Sequence, residues 1–175
     1  DFVLFDLDPS DDVGFKDTVQ VALLVKQALD AVGFESYPKT SGSDGIHVLV
    51  PIARRHTYDQ TREFAEIIAS ALARAHYGLV TTEWVRRKRR GVLIDSNQNG
   101  EGKTIASVYS VRPQKGAPVS TPLRWDEVNE KLDPASFTMD AVRERIEKHG
   151  DLYEPVLQGK QSLTAALGAV RRSRG

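Results

Sequence analysis

The sequence contains no cysteine among its 175 residues. Disulfide bonds, zinc–thiolate sites and thiol nucleophiles are therefore excluded, so catalysis would depend on Asp, Glu, His, Ser or a metal. The chain also lacks a net charge, since 24 Lys and Arg balance 24 Asp and Glu, and only the local distribution of charge can indicate a partner. No stretch has the length and apolarity of a membrane span, and no signal-peptide pattern opens the chain. We expect a soluble, cytoplasmic protein with no membrane partner.

The chain is long enough for one domain with its own core, and we predict a single catalytic domain over residues 1–175. It begins with Asp1 directly on an apolar run, without an initiator Met. This start suggests a fragment whose N-terminal neighbour is missing.

The spacing of apolar residues predicts an α+β fold with a central sheet flanked by helices. Helical spacing covers residues 15–32 and 57–77, with Gly33 and Gly78 as stops. The predicted strands are residues 2–5, a hairpin of 34–40 with 46–51, and the segments 79–85, 91–96 and 104–111. Short helices are predicted beyond residue 124.

Two carboxylates, Asp6 and Asp8, follow the apolar run at residues 2–5. Side chains two apart on a strand share a face, and two carboxylates so close repel each other unless a cation lies between them. Asp95 ends another apolar run and supplies a third carboxylate if the two strands are neighbours. Three carboxylates suit hard divalent ions that assist phosphoryl or nucleotidyl transfer. The alternative is a strand end frayed into solvent.

The turn SGSDG, followed by His47, has the composition of an anion-binding loop. Ser41 and Gly42 belong to a segment whose backbone N–H groups can form a nest for a phosphate, with His47 reaching toward the same anion. The segment lacks the Lys-Ser/Thr ending and the following helix of a P-loop. An ordinary hairpin turn is the alternative.

Five consecutive cations, Arg86, Arg87, Lys88, Arg89 and Arg90, follow the predicted strand at residues 79–85. We predict that this basic run forms a hairpin loop between two strands, near Asp95. In a chain of zero net charge it would be a local site for a nucleic-acid backbone. A solvated loop or a localisation signal would also explain it.

With these residues assembled, the chain resembles the archaeo-eukaryotic primase superfamily, and most closely the polymerase domain of bacterial ligase D. The stretches FDLDP, TSGSDGIHV, LIDSNQN and YSVRPQKGAPVSTPLRWDE carry the resemblance, in the family's order. It implies a primase/RRM-like core, with Asp6 and Asp8 binding two divalent metal ions, Mn2+ or Mg2+, and Asp95 favouring attack by a primer 3′-hydroxyl. It also implies that Ser41, His47 and Arg112 hold the incoming triphosphate.

The resemblance further implies a metal-dependent nucleotidyltransferase that extends DNA 3′-hydroxyls during non-homologous end joining. The implied partners are DNA ends, nucleoside triphosphates, Ku and a DNA ligase domain, in the nucleoid-associated cytoplasm of a bacterium. The chain departs from the family at Asp44, where many relatives carry a phosphate-binding lysine. From the resemblance we also expect the N-terminal part of the polymerase domain to be missing from this sequence.

Three alternatives stay open. A primase making short primers differs from an end-joining polymerase only in starting without a primer. FDLDPS also resembles the opening motif of haloacid dehalogenase-type phosphatases, in which the first Asp is a nucleophile, although Pro9 and the isolated Asp95 fit that family badly. A non-catalytic nucleic-acid-binding module would use the basic run but leaves three carboxylates unexplained.

Overall fold

A mixed five-stranded sheet, in the order β2-β3-β1-β5-β4, organises the fold. The computed structural model describes residues 1–173, and Arg174 and Gly175 of the predicted domain lie outside the described residues. All neighbouring strands are antiparallel except β4 and β5. The strands are β1 (Phe2–Pro9), β2 (Tyr37–Thr40), β3 (Ile46–Pro51), β4 (Val80–Thr81) and β5 (Val92–Asp95).

Two long helices follow β1 and β3, and three shorter helices close the chain. They are α1 (Phe15–Ala31), α2 (Tyr58–Ala75), α3 (Met139–His149), α4 (Glu154–Leu157) and α5 (Thr164–Ser173). Among the described residues, no helix is long and apolar enough to span a membrane. The predicted α+β class, the two long helices and the β2–β3 hairpin are confirmed.

Local capping explains where the two long helices begin. Thr57 precedes α2, and its hydroxyl accepts a hydrogen bond from Gln60 N while the Gln60 side chain accepts one from Thr57 N. The Asp17 carboxylate does the same for Gly14 N at the start of α1. These bonds satisfy N–H groups that the first helical turn leaves free.

Helices cover one face of the sheet, and polar residues occupy part of the other face. Val3, Phe5 and Leu7 point into the main core, which α1 and α2 cover. Residues between them point to the opposite face, because side chains alternate along a strand. There Leu4 packs with Leu49 and Val156, and the polar residues of β1 follow farther along.

Two predictions about the second half of the chain are wrong. Residues 104–111 do not form a strand, and only Val111 makes an isolated bridge, with Val119. The basic run is not a hairpin loop, because β4 is parallel to β5. The predicted strand at residues 79–85 shortens to the two residues of β4, and a 3-10 turn, Arg86–Lys88, leads on to β5.

Candidate active site

Four polar residues line up across the sheet. Lys39 lies opposite His47, His47 opposite Asp6, and Asp6 opposite Asp95, on β2, β3, β1 and β5. Directly opposed residues of antiparallel strands have their side chains on the same face. Asp8 lies two residues beyond Asp6 and shares this face. The strands that carry the three predicted carboxylates are thus neighbours, as the sequence predicts.

The carboxylates interact electrostatically. Burial raises the pKa of Asp8 above its usual value, and the negative charge of Asp6 raises it further, against the lowering effect of Arg89. Burial also raises the pKa of Asp95, where Asp6 contributes in the same direction and a hydrogen bond from Asn97 N opposes it. Such a face disfavours three negative charges unless a cation compensates them.

Each carboxylate is bonded within the protein. Asp6 Oδ1 lies 3.3 Å from His47 Nε2, Asp8 Oδ2 accepts from Arg89 at 3.0 Å, and Asp95 Oδ1 accepts from Asn97 N at 2.9 Å. Across residues 1–173 no group of three acidic or histidine side chains has metal-binding geometry. Carboxylate oxygens are the ligands that hard divalent cations prefer. The three carboxylates share a sheet face, but in this structure they do not converge on a single point.

The SGSDG turn differs from the predicted anion nest. Ser41 Oγ accepts hydrogen bonds from Ser43 N and Gly45 N, both at 3.2 Å, and Ser41 N donates to Gly45 O. The hydroxyl of Ser41 therefore occupies two of the N–H groups that the sequence assigned to a phosphate. Gly42 remains essential to the turn, since its φ of +80° is a conformation that glycine adopts without strain.

Two buried nitrogen atoms beside this turn have no hydrogen-bond partner among the described residues: Nδ1 of His47 and Nε of Arg112. Burial is the main cause that lowers the pKa of His47, despite its contact with Asp6. Buried polar atoms without partners are rare, and a bound water, ion or ligand can satisfy them. The predicted triphosphate residues His47 and Arg112 thus have unused hydrogen-bonding capacity.

Lys39 is a site residue that the sequence reasoning missed. Its side chain is 1% exposed, and its ammonium donates to Ser120 Oγ and to the backbone oxygens of Thr40 and Ala106. Burial lowers its pKa to about 7. Its position after Tyr-Pro gave no signal; only the pairing of β2 with β3 places it beside His47.

The basic run divides into buried and exposed members. Arg89 is buried, pairs with Asp8 and donates to the backbone oxygens of Glu83 and Trp84. Arg86 is exposed and pairs with Asp11 at 3.1 Å. The side chains of Arg87 and Lys88 are exposed. The structure therefore places Arg89 in the carboxylate site rather than on a free basic surface.

A cavity of about 610 Å³ lies beside this site. Its walls include Phe2, Leu4, Asn99 and Lys103, and none of the three carboxylates lines it. Asn99 fixes this wall, because its side-chain amide exchanges two hydrogen bonds with the backbone of Leu4, both at 2.8 Å. The cavity therefore adjoins the carboxylates without containing them.

Comparisons with known proteins agree on one family. The family model for the LigD primase-polymerase domain matches residues 1–153. The chain is 41% identical to the bifunctional non-homologous end joining protein LigD of Bacillus subtilis over 85% of its own length and 24% of that protein. It is 33% identical to the multifunctional LigD of Mycolicibacterium smegmatis, over 88% of this chain and 20% of that protein.

A solved structure is similar over most of the chain. It is the polymerase domain of Mycobacterium tuberculosis ligase D in complex with DNA, with a TM-score of 0.82 and 32% identity. The match covers 89% of this chain and 54% of that one. The chain thus spans about half of that polymerase domain and a quarter or less of the LigD proteins it matches. It belongs to the LigD primase-polymerase domain family.

Proposed function

We propose that this chain is the catalytic part of a metal-dependent nucleotidyltransferase that adds nucleotides to a DNA 3′-hydroxyl during end joining of double-strand breaks. The observation that carries the proposal is the placement of Asp6, Asp8 and Asp95 on one sheet face, in a chain of the LigD family. The DNA bound to the related polymerase domain supports DNA as the substrate.

The carboxylates would hold divalent ions, two by family resemblance, and the ions are Mn2+ or Mg2+. Bound there, such ions neutralise phosphate charge and lower the pKa of an attacking hydroxyl. In the reaction the 3′-oxygen forms a bond to the α-phosphorus, the bond to the β-phosphate bridging oxygen breaks, and pyrophosphate leaves. Asp95, which lies opposite Asp6 on the neighbouring strand, would take the attacking side and accept the proton of the 3′-hydroxyl.

The triphosphate would lie at the other end of the polar row. His47 and the half-buried Arg112 would bind it there, and Ser41 and Gly42 shape the adjacent turn. Lys39 would add a buried positive charge behind this site without touching the nucleotide, since its three donors are already used. Buried charges act strongly on nearby anions because little water screens them.

Family membership argues against two of the alternatives. The match to the primase-polymerase domain over residues 1–153 leaves no support for a haloacid dehalogenase-type phosphatase. A purely DNA-binding module leaves three carboxylates on one sheet face without a role. A primase stays the second candidate, since both activities need the same site.

The proposed cellular setting follows the relatives. The relatives from Bacillus subtilis and Mycolicibacterium smegmatis are a bifunctional and a multifunctional non-homologous end joining protein. We propose DNA ends, nucleoside triphosphates, Ku and a ligase domain as partners, and residence at the bacterial nucleoid. Residues 1–175 would act as one catalytic domain.

The proposed function is tested by primer extension with the purified protein. The expected result is addition of nucleotides to a DNA end with a 3′-hydroxyl, in the presence of Mn2+ or Mg2+. A primer ending in a 3′-dideoxynucleotide is the matched control and should not be extended. Synthesis on a template without any primer would identify a primase instead. No incorporation of nucleotides in any of these reactions would contradict both the polymerase and the primase.

Replacing Arg87 and Lys88 by Ala is expected to weaken DNA binding and flatten its salt dependence, because both cations are exposed and directly precede Arg89, which bonds Asp8. Losing two phosphate contacts lowers the slope of log K against log salt by about two. Binding isotherms at several salt concentrations measure this slope. Lys131→Ala with Lys148→Ala removes the same charge from exposed positions beyond residue 130 and should keep the wild-type slope. An equal loss of DNA affinity in both variants would show that the basic run is only a solvated loop.

Asp44→Lys is expected to tighten nucleoside triphosphate binding by about two- to fivefold through added long-range attraction. Asp44 is exposed, accepts a hydrogen bond from Ser43 Oγ and is one of the charges that raise the pKa of Asp8. Calorimetric titration with ATP and Mn2+ measures the change. Glu130→Lys is the control for charge alone. Equal or weaker binding by Asp44→Lys would show that this turn is not the phosphate site.

A further inference from the structure

Arg112 packs directly against Gly42. A Cβ at Gly42 would come within 2.3 Å of Arg112 Cγ and 3.1 Å of Ser120 N. Real side chains do not tolerate the first of these distances, so only glycine lets Arg112 lie across the turn. The buried Nε of Arg112 has no partner among the described residues. The half-buried side chain is therefore held beside the turn by packing against Gly42.

Arg112 is carried by a short hairpin, residues 109–120, that lies outside the five-stranded sheet. Its two arms exchange backbone hydrogen bonds at Tyr109, Ser110, Arg112, Pro118 and Ser120. The returning arm is fixed to β2, because Thr40 N donates to Thr121 O at 2.9 Å. The outgoing arm carries Arg112 and is held by its bonds to the returning arm and by the bond from Lys39 to Ala106 O just before it.

Tyr109 opens the outgoing arm in a strained conformation. Its φ is +61°, a left-handed conformation that costs about 1 to 2 kcal/mol for a residue other than glycine. Its hydroxyl donates to Asp151 Oδ1 at 2.5 Å, and the same oxygen accepts from Tyr153 N. Burial and Asp151 raise the pKa of Tyr109 above its ordinary value, so the hydroxyl stays a donor at physiological pH. One bond thus ties the arm to the segment after α3.

We propose that Tyr109 is a positioning residue for the triphosphate: its hydrogen bond to Asp151 fixes the outgoing arm and so holds Arg112 across Gly42. The proposal rests on the proposed function, because it takes Arg112 as a triphosphate ligand. Tyr109 acts through Arg112 and does not contact the nucleotide, since its hydroxyl is bonded to Asp151. The bond also offsets part of the backbone strain at φ +61°.

Tyr109→Phe tests the proposal, because it keeps the ring and removes the hydroxyl. The dissociation constant for ATP with Mn2+ should rise by about five- to tenfold, the effect of one lost hydrogen bond. The amides of residues 110–112 should exchange faster, while KM for nucleotide rises and kcat and DNA affinity stay at wild-type values. Asp151→Ala removes the acceptor from an exposed position and should reproduce these changes. Tyr153→Phe, which removes a nearby hydroxyl, should bind ATP as the wild type does.

A double mutant separates positioning from a general structural role. If Tyr109 acts through Arg112, adding Tyr109→Phe to Arg112→Ala should weaken ATP binding no further than Arg112→Ala alone. Additive losses would overturn the positioning role, as would wild-type ATP affinity in Tyr109→Phe when Arg112→Ala binds weakly. Wild-type affinity in Arg112→Ala would instead overturn the triphosphate site of the proposed function.

Discussion

Asp6→Asn is expected to abolish nucleotide addition while leaving the protein at least as stable as the wild type. The substitution removes a carboxylate that lies directly opposite Asp95 and two residues from Asp8. Loss of one ligand to the divalent ions should lower the rate at least about a thousandfold, or about 4 kcal/mol in activation free energy. Primer extension measures the rate, and thermal unfolding without metal measures the stability.

Stability should hold or rise because Asp6 raises the pKa of both Asp8 and Asp95. A folded-state pKa above the unfolded value means that the native state binds more protons, so stability falls as pH rises through that window. The wild type should therefore lose stability as pH rises above the ordinary carboxyl range near 4. Asp6→Asn should lose less over the same pH range, which equilibrium unfolding at several pH values would show.

Asp30→Asn is the matched control, since it removes the same charge from an exposed helical position paired with Lys26. It should extend primers at the wild-type rate. Normal extension by Asp6→Asn would show that the β1 carboxylates are structural. Loss of activity together with a large loss of stability would show that Asp6 supports the fold rather than the chemistry.

Local patterns predicted the part of the fold that positions the carboxylates. The apolar periodicity of α1 and α2, the glycines after them and the buried runs of β1 and β5 are all local properties of the sequence. Asp6 and Asp8 share a face by strand geometry alone. Their pairing with Asp95 needed one further assumption, that two buried strands are neighbours, and β1 and β5 meet it.

The predicted strand at residues 104–111 failed because β-propensity cannot supply a partner. Val, Ile and Tyr favour strands only where a neighbouring strand receives their hydrogen bonds. Here the segment gains only a short hairpin with residues 118–120 outside the sheet, and the left-handed Tyr109 turns the chain away from an extended path. The segment becomes the support for Arg112 instead.

The basic run shows a different limit of sequence reasoning. Five adjacent cations look alike in composition, yet Arg89 alone of them is buried and bonded to Asp8, 81 residues away in the chain. No local pattern distinguishes it from Arg87 or Lys88. Contacts at such separation depend on how β4 and β5 pair, and that pairing was mispredicted as a hairpin.

Lys39 was missed by the sequence analysis for a related reason. Its substitution is the second of the predictions with a large expected effect. Lysines are almost always exposed, so the sequence predicts that a lysine after Tyr-Pro lies on the surface. The structure instead buries it with three neutral hydrogen-bond acceptors, and none of the ion pairs among the described residues includes it. A buried cation held by neutral groups is costly to the fold. An anion bound nearby would compensate that cost.

Lys39→Met is therefore expected to weaken triphosphate binding strongly at pH 7 without a comparable loss of stability. With a pKa of about 7, Lys39 is about half charged at pH 7, and a bound anion favours its charged form. A unit charge acting at an effective dielectric constant of about 20 contributes about 1 to 3 kcal/mol to a nearby anion, so affinity should fall by about three- to eightyfold. Loss of the hydrogen bonds of Lys39 lowers the free energy of unfolding, and removal of a buried ammonium raises it, so the two effects offset each other. Titration with ATP and denaturant unfolding measure the two effects.

The pH dependence of stability and of ATP affinity tests whether the charge of Lys39 causes the expected effect on triphosphate binding. Because its pKa falls to about 7 from 10.5, the unfolded state binds more protons between these values, and wild-type stability should rise with pH by up to about 1.4 kcal/mol per unit. Over the same range Lys39 loses its charge and wild-type ATP affinity should fall, whereas Lys39→Met should show neither trend. Lys16→Met, which removes an exposed lysine on α1, should behave as the wild type in both measurements. ATP affinity in Lys39→Met equal to that of the wild type at pH 7 would make Lys39 a structural residue.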